Sequence, residues 1–222
     1  MAGDSAVAQR LAGRRLYLCT ADRQDLVRFV GACIEGGVDV VQLRDKNLDD
    51  DGIRRVAPTV QALCRDYGVP FILNDRPDLA AELGTDGVHV GQQDMAAGQA
   101  RQVVGAGKIV GLSTHAPDQL ALALSEPVDY VSAGPVVPTP TKPGRPGTGL
   151  GYVSEAARLC AALVPPMPMF VTGDARPETV GDLAAAGARR FVVVRWLTQS
   201  FDPRKAAAEL SAAIDSALAA QA

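Results

Sequence analysis

"VDVVQLRDKNLDD", residues 38–50, starts as a buried β-strand, with Val38, Val40, Val41 and Leu43 among its first six residues, and then turns polar. Successive side chains of a strand alternate between its faces, so extended geometry puts Gln42, Arg44 and Lys46 on one face and Val41 and Leu43 on the other. A strand that is apolar over most of its length and charged on one face at its end must present that end to something polar.

The same frame recurs along the chain. "GGVDVVQL" (36–43), "LGTDGVHV" (83–90) and "EPVDYVSA" (126–133) each run from a helix end through a turn acid into an apolar strand, and "AGARRFVVV" (186–194) fits without the acid. Glycine after a helix supplies a left-handed cap, and an acid suits a short αβ turn. Asp39, Asp86 and Asp129 are therefore expected to be structural.

Short apolar runs rich in β-branched residues appear eight times: "RLYLCT", "VDVVQLRD", "PFILND", "GVHVGQ", "KIVGLST", "DYVSAGP", "MPMFVTG" and "RRFVVVRW". Helical stretches fill the gaps, from "DLVRFVGACIEGG" to the C-terminal "DPRKAAAELSAAIDSALAA", several opening on an acid or a proline as helix starts prefer. Strands alternating with helices make βαβ units on a parallel sheet, and eight such units predict a closed (β/α)8 TIM barrel, typically about 250 residues long. The 222 residues then form a single domain, 1–222, with 1–13 expected as a loosely ordered N-terminal extension. Residues 134–151, "GPVVPTPTKPGRPGTGLG", hold too many Pro and Gly for helix or sheet, and so long a loop in a compact domain points to a functional lid after the sixth strand.

Composition narrows the function. A net charge of -3 and a pI near 5.4 give no broad basic field for nucleic acid, so any anion site must be local. The N-terminus lacks an apolar signal core and no long apolar run exists, which argues for a cytoplasmic protein without membrane partners. Four cysteines form no Cys-x-x-Cys pair and there are only two histidines, so neither zinc nor a disulfide framework is favoured. The partners expected are small-molecule substrates; homo-oligomerisation is left open by the sequence.

In a TIM barrel the active site lies at the C-terminal ends of the strands. Here those ends carry Gln42, Arg44 and Lys46; Asn74 and Asp75; His89, Gln92 and Asp94; Ser113, Thr114 and His115; and, in the loop after strand six, Thr139, Thr141 and Lys142. Three cations, Arg44, Lys46 and Lys142, aimed at one mouth suit a phosphate or pyrophosphate. Asp75 and Asp94, at adjacent strand ends, suit one Mg2+, which takes one or two protein carboxylates and completes its shell with water and substrate phosphate. The competing role for each aspartate is a turn or helix N-cap. His89 points inward if its strand is regular, as a hydrogen-bonded core residue or a participant; His115 stands at a helix entry. Gly173 in "VTGDAR" and Arg195 in "VVVRW" end strands seven and eight, where such barrels commonly bind a monophosphate.

"QLRDK" (42–46), "ILND" (72–75), "GVHVGQQD" (87–94), "GLSTH" (111–115) and "GPVVPTPTK" (134–142), in this order, resemble the thiamine-phosphate synthase family over nearly the whole chain. The resemblance implies an Mg2+-dependent transferase of thiamine biosynthesis. It would join a hydroxymethylpyrimidine diphosphate to a thiazole phosphate, plain or carboxylated, giving thiamine monophosphate and pyrophosphate by a dissociative route through a pyrimidine carbocation. It further implies that Gln42, Leu43, Arg44, Asp45, Lys46, Asn74, Ser113 and Lys142 bind the pyrimidine diphosphate, with Arg44, Lys46, Ser113 and Lys142 catalytic. Asp75 and Asp94 would hold one Mg2+, and Thr139, Pro140, Thr141, Gly173, Val194 and Arg195 would contact the thiazole phosphate. Two departures stand out: the family commonly shows Gly-Gly where Gly173-Asp174 stands here, and a small Ser where Arg195 and Trp196 lie. Arg195 is expected to offset Asp174 or to hold the phosphate. The alternatives weighed are a thiazole tautomerase on the same barrel and a non-catalytic phosphate-ligand sensor, neither of which needs the paired carboxylates. A Schiff-base aldolase is disfavoured because Lys108 precedes its strand.

Overall fold

A computed structural model describes residues 7, 9–139 and 146–221. Its strands are β1 (Leu16–Thr20), β2 (Val40–Leu43), β3 (Phe71–Asn74), β4 (Gly87–Val90), β5 (Ile109–Thr114), β6 (Tyr130–Ala133), β7 (Met169–Val171) and β8 (Phe191–Val193). They pair in sequence order, all parallel, and close when β8 pairs with β1 at Leu16↔Phe191. Every one of the eight runs is a strand, so the (β/α)8 barrel expected from the alternation is the fold.

Between them run α1 (Leu26–Glu35), α2 (Asp50–Asp66), α3 (Pro77–Glu82), α4 (Ala97–Val104), α5 (Pro117–Ala123), α6 (Gly149–Ala161), α7 (Val180–Ala185), α8 (Arg195–Thr198) and α9 (Pro203–Ala219). Their starts follow capping chemistry. Asp49 accepts from the Gly52 N–H at the head of α2, Asp202 accepts from the Lys205 N–H at the head of α9, and proline occupies the first turn of α3, α5 and α9. Two starts differ from the sequence reading. Helix α6 begins inside the 134–151 stretch, where the Gly149 N–H bonds the Val136 carbonyl and Tyr152 and Val153 become buried. The short α8 was not anticipated at all: it puts Arg195 in a helix and ends β8 two residues earlier.

Strand alternation divides the core into two. Val41, Leu43, Leu73, Val88, Val131 and their counterparts face outward and pack under the helices. Val40, Ile72, Ile109, Tyr17, Tyr130 and Phe170 face inward and fill the barrel. Glycine at 111 belongs to this filling, because a Cβ there would lie 2.1 Å from Cζ of Tyr130 on the neighbouring strand. Val7 and Leu11, each 1% exposed, join the inner cluster and stopper the barrel's bottom. The expectation of a loose extension over 1–13 therefore fails for its described part: two apolar side chains one helical turn apart have the open barrel end to bury against.

The recurrent acids are clamps. Asp39, ahead of β2, accepts from the backbone N–H groups of Arg15 and Leu16 at 2.7 and 2.9 Å. Asp86, ahead of β4, accepts from Phe71 N–H at 3.0 Å, and Asp129, ahead of β6, from Val110 N–H at 2.7 Å. Each carboxylate thus ties the foot of one strand to the foot of the strand before it, as the sequence repeat suggested.

Candidate active site

The upper ends of the strands surround a cavity of about 910 Å³. Strand parity decides what faces it. On β2, Gln42 is buried in the cavity floor, and Arg44 and Lys46 follow on the same side as the chain rises. Leu43 turns the other way into the core under the helices, and Asp45 accepts from the backbone N–H groups of Asp22 and Asn47 at 3.1 and 2.8 Å. Neither lines the cavity.

Asn74 and Asp75 end β3. Asp75 adopts φ 61°, a left-handed conformation that aspartate tolerates better than most residues, and its N–H bonds the His89 carbonyl at 2.8 Å. Its carboxylate reaches Lys46 Nζ at 3.2 Å. Burial raises the Asp75 carboxyl above its usual range, the neighbouring Asp94 carboxyl raises it further, and Lys46 opposes both. Asp94 also accepts from Gly91 N–H at 2.8 Å. Neither aspartate is a helix cap: α3 and α4 have Arg76 and Ala96 at their N-caps, with no side-chain cap bond. Two hard oxygen ligands crowded together beside one lysine are a donor set that fits a single hard cation. Among the described residues no group of three or more His, Cys, Asp or Glu could hold a metal.

The floor below Gln42 was not legible as a site from the sequence. Cys19 donates to Gln42 Oε1 at 3.1 Å, and Gln42 Nε2 donates to Tyr17 Oη at 2.9 Å. Tyr17 Oη meets Tyr130 Oη at 2.9 Å, Tyr130 Oη meets His89 Nδ1 at 2.9 Å, and His89 Nε2 meets Ser113 Oγ at 2.8 Å. Ser132 Oγ donates to Ser113 Oγ at 3.3 Å. Phe170 stands edge-on to both tyrosine rings, at 88° and 75°. Burial pushes both phenol pKa values up, so both keep their protons. Inward parity of Tyr17, Cys19, Tyr130 and Ser132 on their strands was the available signal. All four cysteines are buried, as expected, and Cys19 belongs to the cavity floor.

On the opposite side, Thr139, Gly173, Val194 and Arg195 all line the cavity. Gly173 has φ +99°, and a Cβ there would fall 2.5 Å from Val136 N, so this loop passes too close to residue 136 for any other side chain. Asp174 pairs with Arg176 at 3.1 Å and, at φ 66°, is left-handed like Asp75. Of the two roles expected for Arg195, offsetting Asp174 is filled by Arg176, an arginine the sequence reading did not single out. His115 donates its N–H to Gln119 Oε1 at 2.9 Å and its ring bonds the Gly134 carbonyl, the helix-entry role left open for it. Pro140, Thr141 and Lys142 lie outside the described residues.

A family model described as thiamine monophosphate synthase matches residues 16–197. The chain is 45% identical over 221 residues to the thiamine-phosphate synthase of Thermobifida fusca, covering 98% of this chain and 100% of that one. It is 42% identical to the thiamine-phosphate synthase of Mycolicibacterium smegmatis, covering 94% of this chain and 96% of that one. Among solved structures, a thiamine phosphate pyrophosphorylase from Pyrococcus furiosus superposes with TM-score 0.82 at 25% identity, over 96% of this chain and 99% of that one.

Proposed function

The chain belongs to the thiamine monophosphate synthase family, and from that premise we propose how its mouth makes thiamine monophosphate from a pyrimidine diphosphate and a thiazole phosphate. The observation carrying the reading is that Gln42, Arg44, Lys46, Asn74, Asp75, Asp94 and Ser113, drawn from four strands and the loops after them, line one cavity.

The reaction exchanges a C–O bond for a C–N bond. The diphosphate leaves the pyrimidine's methylene carbon with the bonding electron pair, and the thiazole nitrogen supplies its lone pair to the same carbon. An aminopyrimidine ring stabilises positive charge at that carbon, so departure precedes attack and no strong base is required. What the site must supply is neutralisation of the leaving group and a nucleophile already in place.

Arg44 and Lys46 take the diphosphate oxygens, joined by Lys142. Ser113 donates a hydrogen bond to the same group. Gln42 and Asn74 hold the pyrimidine over the floor. Thr139, Gly173, Val194 and Arg195 receive the thiazole phosphate, with Asp174 held off it by Arg176. Asp75 and Asp94 would bind Mg2+, which as a hard cation adds charge neutralisation to the leaving diphosphate. Lys46, paired with Asp75 at 3.2 Å, would be freer to reach the substrate with Asp75 engaged by a cation.

The test is pyrophosphate release and thiamine monophosphate formation from the two synthetic halves, with Mg2+ and with EDTA. Equal amounts of both products, lost on chelation, are expected; turnover that survives chelation would remove the metal from the mechanism. No helix among the described residues is long and apolar enough to cross a membrane.

A further inference from the structure

The strands that bring Asp94 and Ser113 to the mouth stay in register as far as Val90↔Leu112. Beyond that rung the chain leaves β4 in a tight turn, residues 91–94, closed from both ends. Asp94 N–H bonds the Gly91 carbonyl at 3.3 Å, and Gly91 N–H bonds the Asp94 carboxylate at 2.8 Å. A Cβ at residue 91 would lie 2.8 Å from that carboxylate oxygen, so glycine allows the acid to fold back over the turn. The Asp94 carboxylate therefore goes where the turn goes. The turn is also tied sideways: Gln92 Nε2 donates to the Ser113 carbonyl at 2.7 Å, carrying the link between β4 and β5 one side chain further than the backbone pairing. The amide can point only this way, because a backbone carbonyl accepts and never donates.

Such a tie has something to resist. Burial and the Asp94 carboxyl both raise the Asp75 carboxyl above its usual range, as expected of two acids crowded together. Without a cation between them the two repel, and Asp94, on an exposed turn, has less packing to oppose the push. We propose that Gln92 is a positioning residue for the metal: by fastening the 91–94 turn to Ser113 it holds the Asp94 carboxylate beside Asp75, ready for one hard cation, and in a fixed relation to the serine at the diphosphate. Gln92 touches neither the cation nor the reacting atoms in this scheme. A ligand group held in place beforehand need not be ordered when the ion arrives, so loss of the tie is felt as metal affinity and not as fold stability. The inference rests on the Mg2+ reading of Asp75 and Asp94 and adds to it a residue outside the ligand pair.

Gln92→Met keeps the length of the side chain and removes the donor. Mn2+, a hard stand-in for Mg2+ at carboxylates, reads metal affinity without turnover when the free ion is followed by electron paramagnetic resonance. The titration is run on the full-length protein, alone and with inorganic pyrophosphate, against protein-free blanks. The variant is expected to bind Mn2+ about three- to tenfold more weakly than wild type, the size of one lost hydrogen bond. Its Tm in EDTA and its KM for the thiazole phosphate should not change. Hydrogen exchange over residues 88–97 of the metal-free protein should be faster in the variant, which reads the tie before any metal is added. Equal Mn2+ affinity, or equal exchange, in the two proteins would overturn the proposal and leave the metal reading standing. A raised KM for the pyrimidine diphosphate with unchanged Mn2+ affinity would also overturn it, making Gln92 a substrate contact. Wild-type protein that takes up Mn2+ neither alone nor with pyrophosphate would bring down the reading of Asp75 and Asp94 itself, and this proposal with it.

Discussion

Lys46 Nζ stands 3.2 Å from Asp75 Oδ2, a cation from the end of β2 held by a carboxylate from the end of β3. The lysine side chain is 60% exposed and the aspartate 20%, so the pair lies at the rim with its anion turned inward. Such a half-exposed pair adds little to stability, on the order of 1 kcal/mol or less. Its interest is competition, since the lysine occupies the carboxylate that a metal would use.

Lys46→Ala is therefore expected to act in two opposite ways. Losing a charged contact to the diphosphate should cost about 1.5–3 kcal/mol, roughly ten- to hundredfold in kcat/KM for the pyrimidine substrate. Removing the competitor should at the same time lower the Mg2+ concentration needed for half-maximal rate. A metal titration of wild type and variant checks both, and a variant needing more Mg2+ would place Lys46 with the metal rather than against it.

Asp94→Ala should abolish most Mg2+-stimulated turnover, by about a hundredfold or more, because one of two protein carboxylates is gone. The Tm should change little, since the rim bond from Gly91 N–H is a single partly exposed contact. Full activity at ordinary Mg2+ would remove Asp94 from the metal site.

Gly111→Ala should destabilise the barrel and disturb the cavity floor that Tyr130 helps to form. A Cβ placed 2.1 Å from the Tyr130 ring must move that ring, which is wedged against Tyr17 and Phe170. Overpacking of this kind costs roughly 1–3 kcal/mol, and Tm should fall by about 3–10 °C for a chain of this size. The double variant Gly111→Ala, Tyr130→Val should recover part of the loss; strict additivity of the two melts would show that the ring was not the obstacle.

Asp39 predicts a pH signature. Burial raises its carboxyl to about 6 against an unfolded value near 4, despite two backbone N–H bonds that favour the charged form. The folded state thus binds a proton more tightly than the unfolded one between about pH 4 and pH 6, so this residue's contribution to stability is greatest below that window and is lost as pH rises through it. Asp39→Asn cannot titrate, and its Tm relative to wild type should improve from pH 4.5 to pH 7. A constant Tm difference would mean that the clamp is charged throughout.

The barrel and half of its mouth were legible because strand alternation is a strict period. Val40, Val41, Gln42 and Leu43 assign themselves to inside or outside by parity alone, and the charged residues beyond them must then be at the rim. The relay through Tyr17, Tyr130 and His89 was not legible, because it joins residues 113, 41 and 25 positions apart whose contacts depend on how five strands close on one another. The partner of Asp174 was not legible for a related reason. That partner, Arg176, is set by a left-handed turn, and nothing in "VTGDAR" announces which way that turn folds.

The aspartate clamps leave a seam. Asp39, Asp86 and Asp129 lace β1 to β2, β3 to β4 and β5 to β6, but the repeat before β8 carries Arg189 and Arg190 in place of the acid. There β7 and β8 are matched at a single position, Val171↔Phe191, where each other neighbouring pair is matched at three or more. A hoop of staves loosens at the joint with the fewest pegs, and local opening in proteins follows the same economy of contacts. Amide exchange should be fastest among the strands at Met169–Val171 and Phe191–Val193. That joint runs up to Gly173 and Arg195, so breathing of the wall would be felt by the half of the mouth proposed for the thiazole phosphate and spared the half proposed for the diphosphate.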